Sequence, residues 1–492
     1  MPTLKPGIGT AWLTIKSGGV RMKRFNRVFC AALAAAVMFV SLSFGSFAAD
    51  EGYSMTPEQW TAYWDTVKDS NTLVALMPGA DESRMNFCWH SGIFEGKPCV
   101  KISKSADMSA AQIFYGTVDT AENLKQRVNR VSAYGLKENT VYYYIYSSGK
   151  GFSEPVSFTT RDADDFKLMY VSDIQCSGDT AANAAATSEA WQNTLSSALD
   201  AHGDIGFVVA AGDNANSGIA QEWTATLSPP ALRSLPLATC VGNHDMKTLI
   251  YSRYVNNPNT FPGCTPNPTG NGYWFTYGDV LFISYNANKK NIADQYALTK
   301  AAVNANPDAK WRVAIMHHDI YGTGGHCDNN HNKENYLMQA AYGALYDDYR
   351  IDLVLTGHDH IYGRSYYMYA GKPVANEGYA QGSVTDPEGT VYFTASAAAG
   401  KSRVEEKPYS YSWLAFSYPY TNIPIYSIIE FTNSECLIES YISDSGEQID
   451  TFKITKTQDR YDGCKPLGVF AYIAEVLKKI DFNAFLFGKL PA

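Results

Sequence analysis

The sequence predicts an all-β sandwich followed by an α/β domain with substantially parallel sheet. Three observations carry this expectation. Over about residues 71–160, short apolar runs recur between Gly, Asn and Lys-Glu turns, the punctuation of a sandwich of about ninety residues. Over about residues 165–400, apolar runs alternate with segments of helical period, as when crossover helices join parallel strands. Five short polar motifs, finally, each follow an apolar run, where a strand would end and a loop begin. They are Asp173-Ile174-Gln175, Gly212-Asp213, Gly242-Asn243-His244-Asp245, Met316-His317-His318 and Gly357-His358-Asp359-His360. At 492 residues the chain is too long for one ordinary domain.

The elements follow in order. Lys23, Arg24 and Arg27 precede an apolar stretch over residues 28–47 that closes with Ala48-Ala49 before Asp50. This pattern reads as a secretory signal cleaved near Ala49, with residues before Met22 as an upstream extension. A membrane anchor is the competing reading; the small residues ending the run and the acidic, polar segment after it favour cleavage. The expected location is therefore secreted, extracellular or at the cell surface. Residues 1–49 hold six basic residues and no acids. Without them the 40 basic residues fall to 34 against 49 acidic ones, a net charge of −15. Such a surface repels polyanions and argues against a nucleic-acid partner.

Residues 50–70 form a lead-in in which Thr56 caps a short helix that begins at Pro57. The sandwich is assigned to residues 71–162, with strands near 86–90, 112–115, 128–131 and 141–146. The α/β domain is assigned to residues 163–457. Its apolar runs lie at 167–172, 205–210, 235–241, 280–285, 311–316 and 351–356. Trp191, Leu195 and Leu199 share one helix face, and residues 292–304 give a second helix. Strand patterns return over residues 424–456 and are expected to complete one sheet. Residues 458–492 contain an amphipathic helix with Phe470, Ile473, Leu477 and Ile480 at helical spacing. It either docks on its own domain or holds the protein at a membrane or wall surface.

Eight cysteines follow the signal: Cys88, Cys99, Cys176, Cys240, Cys264, Cys327, Cys436 and Cys464. An even number in an exported chain suggests disulfides, with Cys88–Cys99 and Cys436–Cys464 as the nearest local pairs.

The motifs together offer carboxylates, amide oxygens and imidazoles, the ligand set of first-row metals. In open α/β sheets, ligands gather beyond the carboxyl ends of the strands, so one rim would receive all of them. A pair of metals needs an acidic bridge, and Asp213 after the small Gly212 is the natural one. Asp173, Gln175 and His360 would complete one ion; Asn243, His317 and His358 would complete the other. A lone histidine is usually packed or solvated. Here six of nine fall over residues 317–360, and four of the six lie inside motifs.

In this order the motifs resemble those of calcineurin-like metallophosphoesterases, in the purple acid phosphatase branch. Residues 134–144 and Phe158-Thr159-Thr160 resemble the fibronectin type III-like domain that precedes such phosphatases. The resemblance implies a four-layer β-sandwich flanked by helices behind an immunoglobulin-like all-β sandwich. It also implies two metal ions (Fe, Zn or Mn) and hydrolysis of small phosphate monoesters by a metal-bridging hydroxide. His244 would reach the phosphate or leaving oxygen, Asp245 would orient His244, and His326 would act as general acid. Two positions depart from the family pattern. Gln175 stands where His or Gly is usual, and Asn216 stands where the purple enzymes carry an iron-binding Tyr, so a colourless enzyme is expected. Two alternatives stay open: a phosphodiesterase or nucleotidase with the same site, and a cell-surface binding protein with a decayed one.

Overall fold

A computed structural model describes residues 52–458, apart from residues 71, 94, 122–124, 263–268, 289–290, 329–332 and 401–408. The signal segment, the C-terminal amphipathic segment, His331, Cys264 and Cys464 lie outside the described residues. Among the described residues, no helix is long and apolar enough to cross a membrane.

The first helix, Pro57–Val67, starts where the capping signal places it. Thr56 Oγ1 accepts from Gln59 N, and Gln59 Oε1 accepts from Thr56 N at 2.8 Å, so two otherwise orphaned N–H groups are satisfied. The helix buries Trp60, Tyr63, Trp64 and Val67, and Tyr63 Oη donates to the Ser228 carbonyl at 2.7 Å.

Two four-stranded antiparallel sheets follow. One orders Ala75–Pro78, Arg84–Ser91, Gln126–Tyr134 and Thr117–Ala121; the other orders Gln112–Tyr115, Cys99–Ser103, Val141–Ser147 and Val156–Thr159. Side chains alternate across each strand. Phe87, Trp89, Val131 and Ala133 from one sheet meet Val100, Ile102, Tyr142 and Tyr144 from the other.

This alternation overturns one expectation. Cys88 lies one residue out of phase with Phe87 and Trp89, and Cys99 one out of phase with Val100. Both thiols therefore leave the sandwich core, on opposite outer faces. Cys88 Sγ turns toward the Arg253 carbonyl instead. Packed sheets lie about 10 Å apart, too far for a disulfide. Cys88 and Cys99 are free, as is the buried Cys436 that was expected to pair with Cys464.

The larger domain has two seven-stranded sheets stacked face to face. The first orders Leu237–Thr239, Ile205–Ala210, Asp165–Val171, Ile425–Thr432, Glu435–Ile442, Gln448–Thr455 and Ser383–Thr385. The second orders Tyr273–Tyr277, Val280–Tyr285, Trp311–Met316, Leu353–Thr356, Val391–Thr394, Gly363–Ser365 and Leu414–Ser417. Phe166, Leu168, Tyr170, Phe207, Phe282, Val313, Ile315 and Phe393 fill the space between them. On the outer face of the first sheet, Met169, Val171, Val208 and Ala210 meet Trp191, Leu195 and Leu199 of helix Ala181–Ala201. On the outer face of the second, Leu281, Ile283, Ala314 and Val354 meet helices Ile292–Ala305 and Lys333–Tyr349. The result is a mixed α/β fold of four layers.

Both sheets are mixed rather than mostly parallel. The strands that carry motifs are parallel to their motif-bearing neighbours, whereas Ile425–Thr432 runs antiparallel to Asp165–Val171. The C-terminal strands do complete the first sheet, as expected.

The small sandwich grips the larger domain just after the Gly242-Asn243-His244-Asp245 motif. Arg130 Nε donates to the Val255 carbonyl at 3.1 Å, and Arg130 Nη2 to the Ser252 carbonyl. His90 Nε2 meets the Arg253 carbonyl at 2.8 Å, and Asn86 Nδ2 donates to the Asn256 carbonyl at 2.8 Å.

Candidate metal centre

Five strands end at one rim. Asp165–Val171, Ile205–Ala210 and Leu237–Thr239 come from the first sheet, and Trp311–Met316 and Leu353–Thr356 from the second. Their following loops bring the seven expected ligands together. Asp173, Gln175, Asp213, His358 and His360 have φ of 50°, 44°, 47°, 73° and 56°. Left-handed backbone is uncommon for residues with a Cβ and costs of order 1–3 kcal/mol each. Such clustering of strain marks a site whose surroundings over-determine it.

Glycines make the approach close. A Cβ on Gly242 would lie 2.0 Å from Asp213 Oδ1, and one on Gly357 2.3 Å from Asp173 Oδ2. Gly212, at φ +96°, lies against the His317 ring.

The His317 ring shows what the cluster lacks. Its Nδ1 lies 2.9 Å from the Ala211 carbonyl, which only accepts, so the neutral ring carries its lone pair at Nε2. That atom faces Asn243 Oδ1 at 3.0 Å, Asp213 Oδ2 at 3.3 Å and Asp173 Oδ1 at 4.0 Å. With that ring neutral, four acceptors face one another, and either a proton on Nε2 or a metal ion must lie between them. Donor atoms of Asp213, His317 and His358 lie within 4.8 Å of one another.

On the other side, His360 Nε2 is 3.1 Å from Asp173 Oδ1. The pair is close but not aligned as a hydrogen bond, for this buried oxygen has no hydrogen-bond partner. Gln175 Oε1 is buried and likewise unpartnered, while Gln175 Nε2 lies 3.5 Å from Asp213 Oδ2. Unsatisfied buried oxygens are expensive unless an ion completes them. The residues present therefore fit a pair of cations, with Asp213 between the two groups.

The electrostatics agree. Burial opposes a charge on His317, yet Asp213 and Asp173 outweigh it and raise the ring to about 10. Burial also pushes Asp173 up, but His360, His317 and the His358 amide hold it well below the usual carboxylate range. Burial first, then Asp213, raises Asp245 to about 7. The pocket is short of positive charge.

Asp245 does a different job from the one expected. Its carboxylate accepts from Asn214 N at 3.2 Å, Ala215 N at 3.2 Å, Gly242 N at 2.9 Å and Asn214 Nδ2 at 3.0 Å. It pins the Gly212-Asp213 loop to the Gly242 loop. The His244 ring is instead set by Lys247 Nζ, which donates to Nδ1 at 2.8 Å and to the Asn216 carbonyl at 2.9 Å. His244 N donates to Asp213 Oδ1 at 2.7 Å, and its Nε2 lies 3.9 Å from Asp213 Oδ2. Lys247 was not singled out from the sequence; its place three residues after His244 in a 3-10 turn was the available signal.

His326 reaches the same rim from the loop after Trp311–Met316. Its ring stacks on His358, centroids 3.8 Å apart and planes at 20°. Its N and Nδ1 lie 3.2 and 3.0 Å from Asp359 Oδ1. Asp359 is buried and sits between two expected ligands in sequence. His318 packs against both His317 and His358.

With this geometry in place, likeness to known proteins becomes interpretable. Residues 166–362 match the model of the calcineurin-like phosphoesterase family, and residues 72–160 match that of the purple acid phosphatase N-terminal domain. The chain carries a calcineurin-like phosphoesterase domain. All seven expected ligands and both histidines, His244 and His326, lie inside it. Acid phosphatase type 7 of Mus musculus is 24% identical over 297 residues, and purple acid phosphatase 23 of Arabidopsis thaliana is 24% identical over 311. Each match covers 56% of this chain and 64% of the relative's length. Purple acid phosphatase PPD1 from yellow lupin (Lupinus luteus) seeds shares the fold, with a TM-score of 0.63 at 16% identity. That match covers 80% of this chain and 76% of the lupin protein. The phosphoesterase domain and its N-terminal partner thus occur here in the same order as in the resemblance drawn from the motifs.

Proposed function

We propose that the protein is an exported, metal-dependent phosphatase that hydrolyses small phosphate monoesters at a binuclear centre. One observation carries this reading: carboxylate, amide and imidazole atoms from five strand ends converge on Asp213, and among the described residues no lysine or arginine is paired with Asp173 or Asp213. Asp173, Gln175 and His360 would hold one ion, Asn243, His317 and His358 the other, and Asp213 both. When bound, such a pair supplies a clamp for the phosphoryl oxygens and acidifies a water enough to attack phosphorus at neutral pH.

The chain's own groups do the rest. The His244 side chain is 25% exposed. With Lys247 Nζ donating to Nδ1, the ring carries its proton at Nε2 and can donate to a phosphate oxygen without searching rotamers, which lowers the entropic barrier. His326 is 38% exposed on its side chain and keeps Nδ1 on Asp359. Nε2 is then the atom that hands a proton to the departing oxygen. Asp245 and Asp359 are positioning groups: each pins the loop that carries one of these histidines. Export rests on the signal pattern before Asp50, and the two-metal mechanism on the ligand geometry.

Assaying 4-nitrophenyl phosphate with the full chain and added Zn, Mn or Fe tests the reading. Turnover that chelation abolishes is expected. Bound metal without turnover of any ester would favour the binding-protein alternative.

A further inference from the structure

We infer that Tyr411 is a positioning residue for His326, acting through Gly324 and Asp359, and that it governs how well the enzyme cleaves esters with poor leaving groups. The inference rests on the phosphatase reading above and extends it to a residue outside every motif.

The contacts form one chain. Tyr411 Oη donates to the Gly324 carbonyl at 2.9 Å. Gly324 N donates to Asp359 Oδ2, and Asp359 Oδ1 takes His326 N and Nδ1. His326 then stacks on His358. Gly324 admits no side chain here, because a Cβ would lie 2.6 Å from the Asp359 carboxyl carbon. The two peptide units that flank the Gly324 Cα thus carry Asp359 on the N–H and Tyr411 on the carbonyl.

Tyr411 itself is held from both sides. Its ring lies 5.7 Å from Tyr409 at 5° and 4.4 Å from Trp413 at 16°. These three aromatic residues alternate with serines, and their rings stack in succession even though the chain turns at Ser412-Trp413, where Leu414 N donates to the Tyr411 carbonyl at 3.1 Å. The ladder is stitched to the same loop: Trp413 Nε1 donates to the Gly322 carbonyl at 3.1 Å, and Tyr409 N to the Thr323 carbonyl at 2.8 Å. Burial and the nearby Cys327 and Asp328 push the Tyr411 hydroxyl up, so it stays a donor. A glycine-rich loop, 322-GTGGHC-327, has little rigidity of its own. Three hydrogen bonds from one aromatic ladder supply what the glycines lack.

Loop position matters most at the leaving oxygen. As water oxygen adds to phosphorus and releases a proton to solvent, the bond from phosphorus to the alcohol oxygen breaks; that oxygen takes the His326 proton, and solvent reprotonates His326. A nitrophenolate leaves readily without this proton, whereas an alkoxide does not. Misplacing His326 should therefore hurt alkyl phosphates more than nitrophenyl phosphate.

The test compares wild type, Tyr411→Phe, His326→Ala and the double variant on 4-nitrophenyl phosphate and glycerol phosphate, with metal content measured for each. Tyr411→Phe keeps the ring and removes only the donor. Expected is a loss in kcat/KM of about tenfold or more on glycerol phosphate, with a clearly smaller loss on the nitrophenyl ester. This is a fraction of the roughly 10²–10⁴-fold worth of a general acid. The double variant should be no slower than His326→Ala. Gly324→Ala, which presses on Asp359 at the same residue, should repeat the selective loss. Equal losses on both esters, additive losses in the double variant, or lost metal in Tyr411→Phe would overturn the inference and leave the phosphatase reading intact. A wild-type protein that cleaves neither ester would overturn both.

Discussion

Gly242→Ala isolates the approach of the asparagine motif to Asp213. Gly242 is not in left-handed backbone, so alanine meets no conformational penalty there. The whole effect comes from the added methyl, 2.0 Å from Asp213 Oδ1 and 2.2 Å from Asp213 N. Ordinary contact begins at 3.4 Å, so Asp213 must retreat by about 1.4 Å. Overpacking of this kind costs about 1–3 kcal/mol of stability. The site is far less tolerant, since metal–ligand distances hold within about 0.2 Å. A misplacement near 1 Å costs about 100-fold in rate, so turnover should fall at least that far. The assay is metal content by elemental analysis beside ester turnover, with Gly446→Ala as control. A Cβ at Gly446 meets nothing within 4 Å, and the cost there is backbone strain alone at φ +69°. Wild-type turnover and metal content in Gly242→Ala would refute the claim that these two loops meet at the ions.

Asp450→Ala should destabilise the fold by about 3–5 kcal/mol, because it strands the buried Arg364 guanidinium that Asp450 binds through Nε at 2.9 Å and Nη2 at 3.0 Å; an unchanged denaturant midpoint would contradict this. Burial holds the His202 ring below its ordinary value, and its buried Nε2 has no hydrogen-bond partner. Its contribution is therefore present above the unfolded value of about 6.5 and lost as pH falls through the lower folded value. His202→Gln should flatten the loss of stability as pH falls from about 6.5 to the lower folded value, and parallel curves for variant and wild type would refute the assignment. An iron-loaded sample should lack a strong visible charge-transfer band, since Asn216 stands where a tyrosinate would be required; a purple sample would show another tyrosine on the metal.

The candidate ligand set was legible because chemistry restricts which residues can serve. Asp213 or His317 cannot be exchanged for a packing equivalent, and the strand before each motif announces its place at the rim. Helix Ala181–Ala201 was legible from Trp191, Leu195 and Leu199 on one face. Helix Lys333–Tyr349 was not singled out, because Tyr342, Ala344, Leu345 and Tyr346 are buried around more than one face and blur the period. The cysteine pairing failed for a reason that sequence distance hides: Cys88 and Cys99 are eleven residues apart, yet strand phase sends them to opposite outer faces. Asp245 was expected to orient its neighbour because adjacency suggests contact, but its carboxylate turns back to four N–H groups of the loops. Tyr411 gave no signal at all, since a hydroxyl on a backbone carbonyl far along the chain leaves no spacing to read.

Elemental analysis of purified wild type and Asp213→Ala, each re-metallated and dialysed, addresses the binuclear centre most directly. Wild type should retain two ions per chain. The variant should retain at most one and cleave no ester. Two ions in the variant, or none in the wild type, would contradict a site built around a shared aspartate.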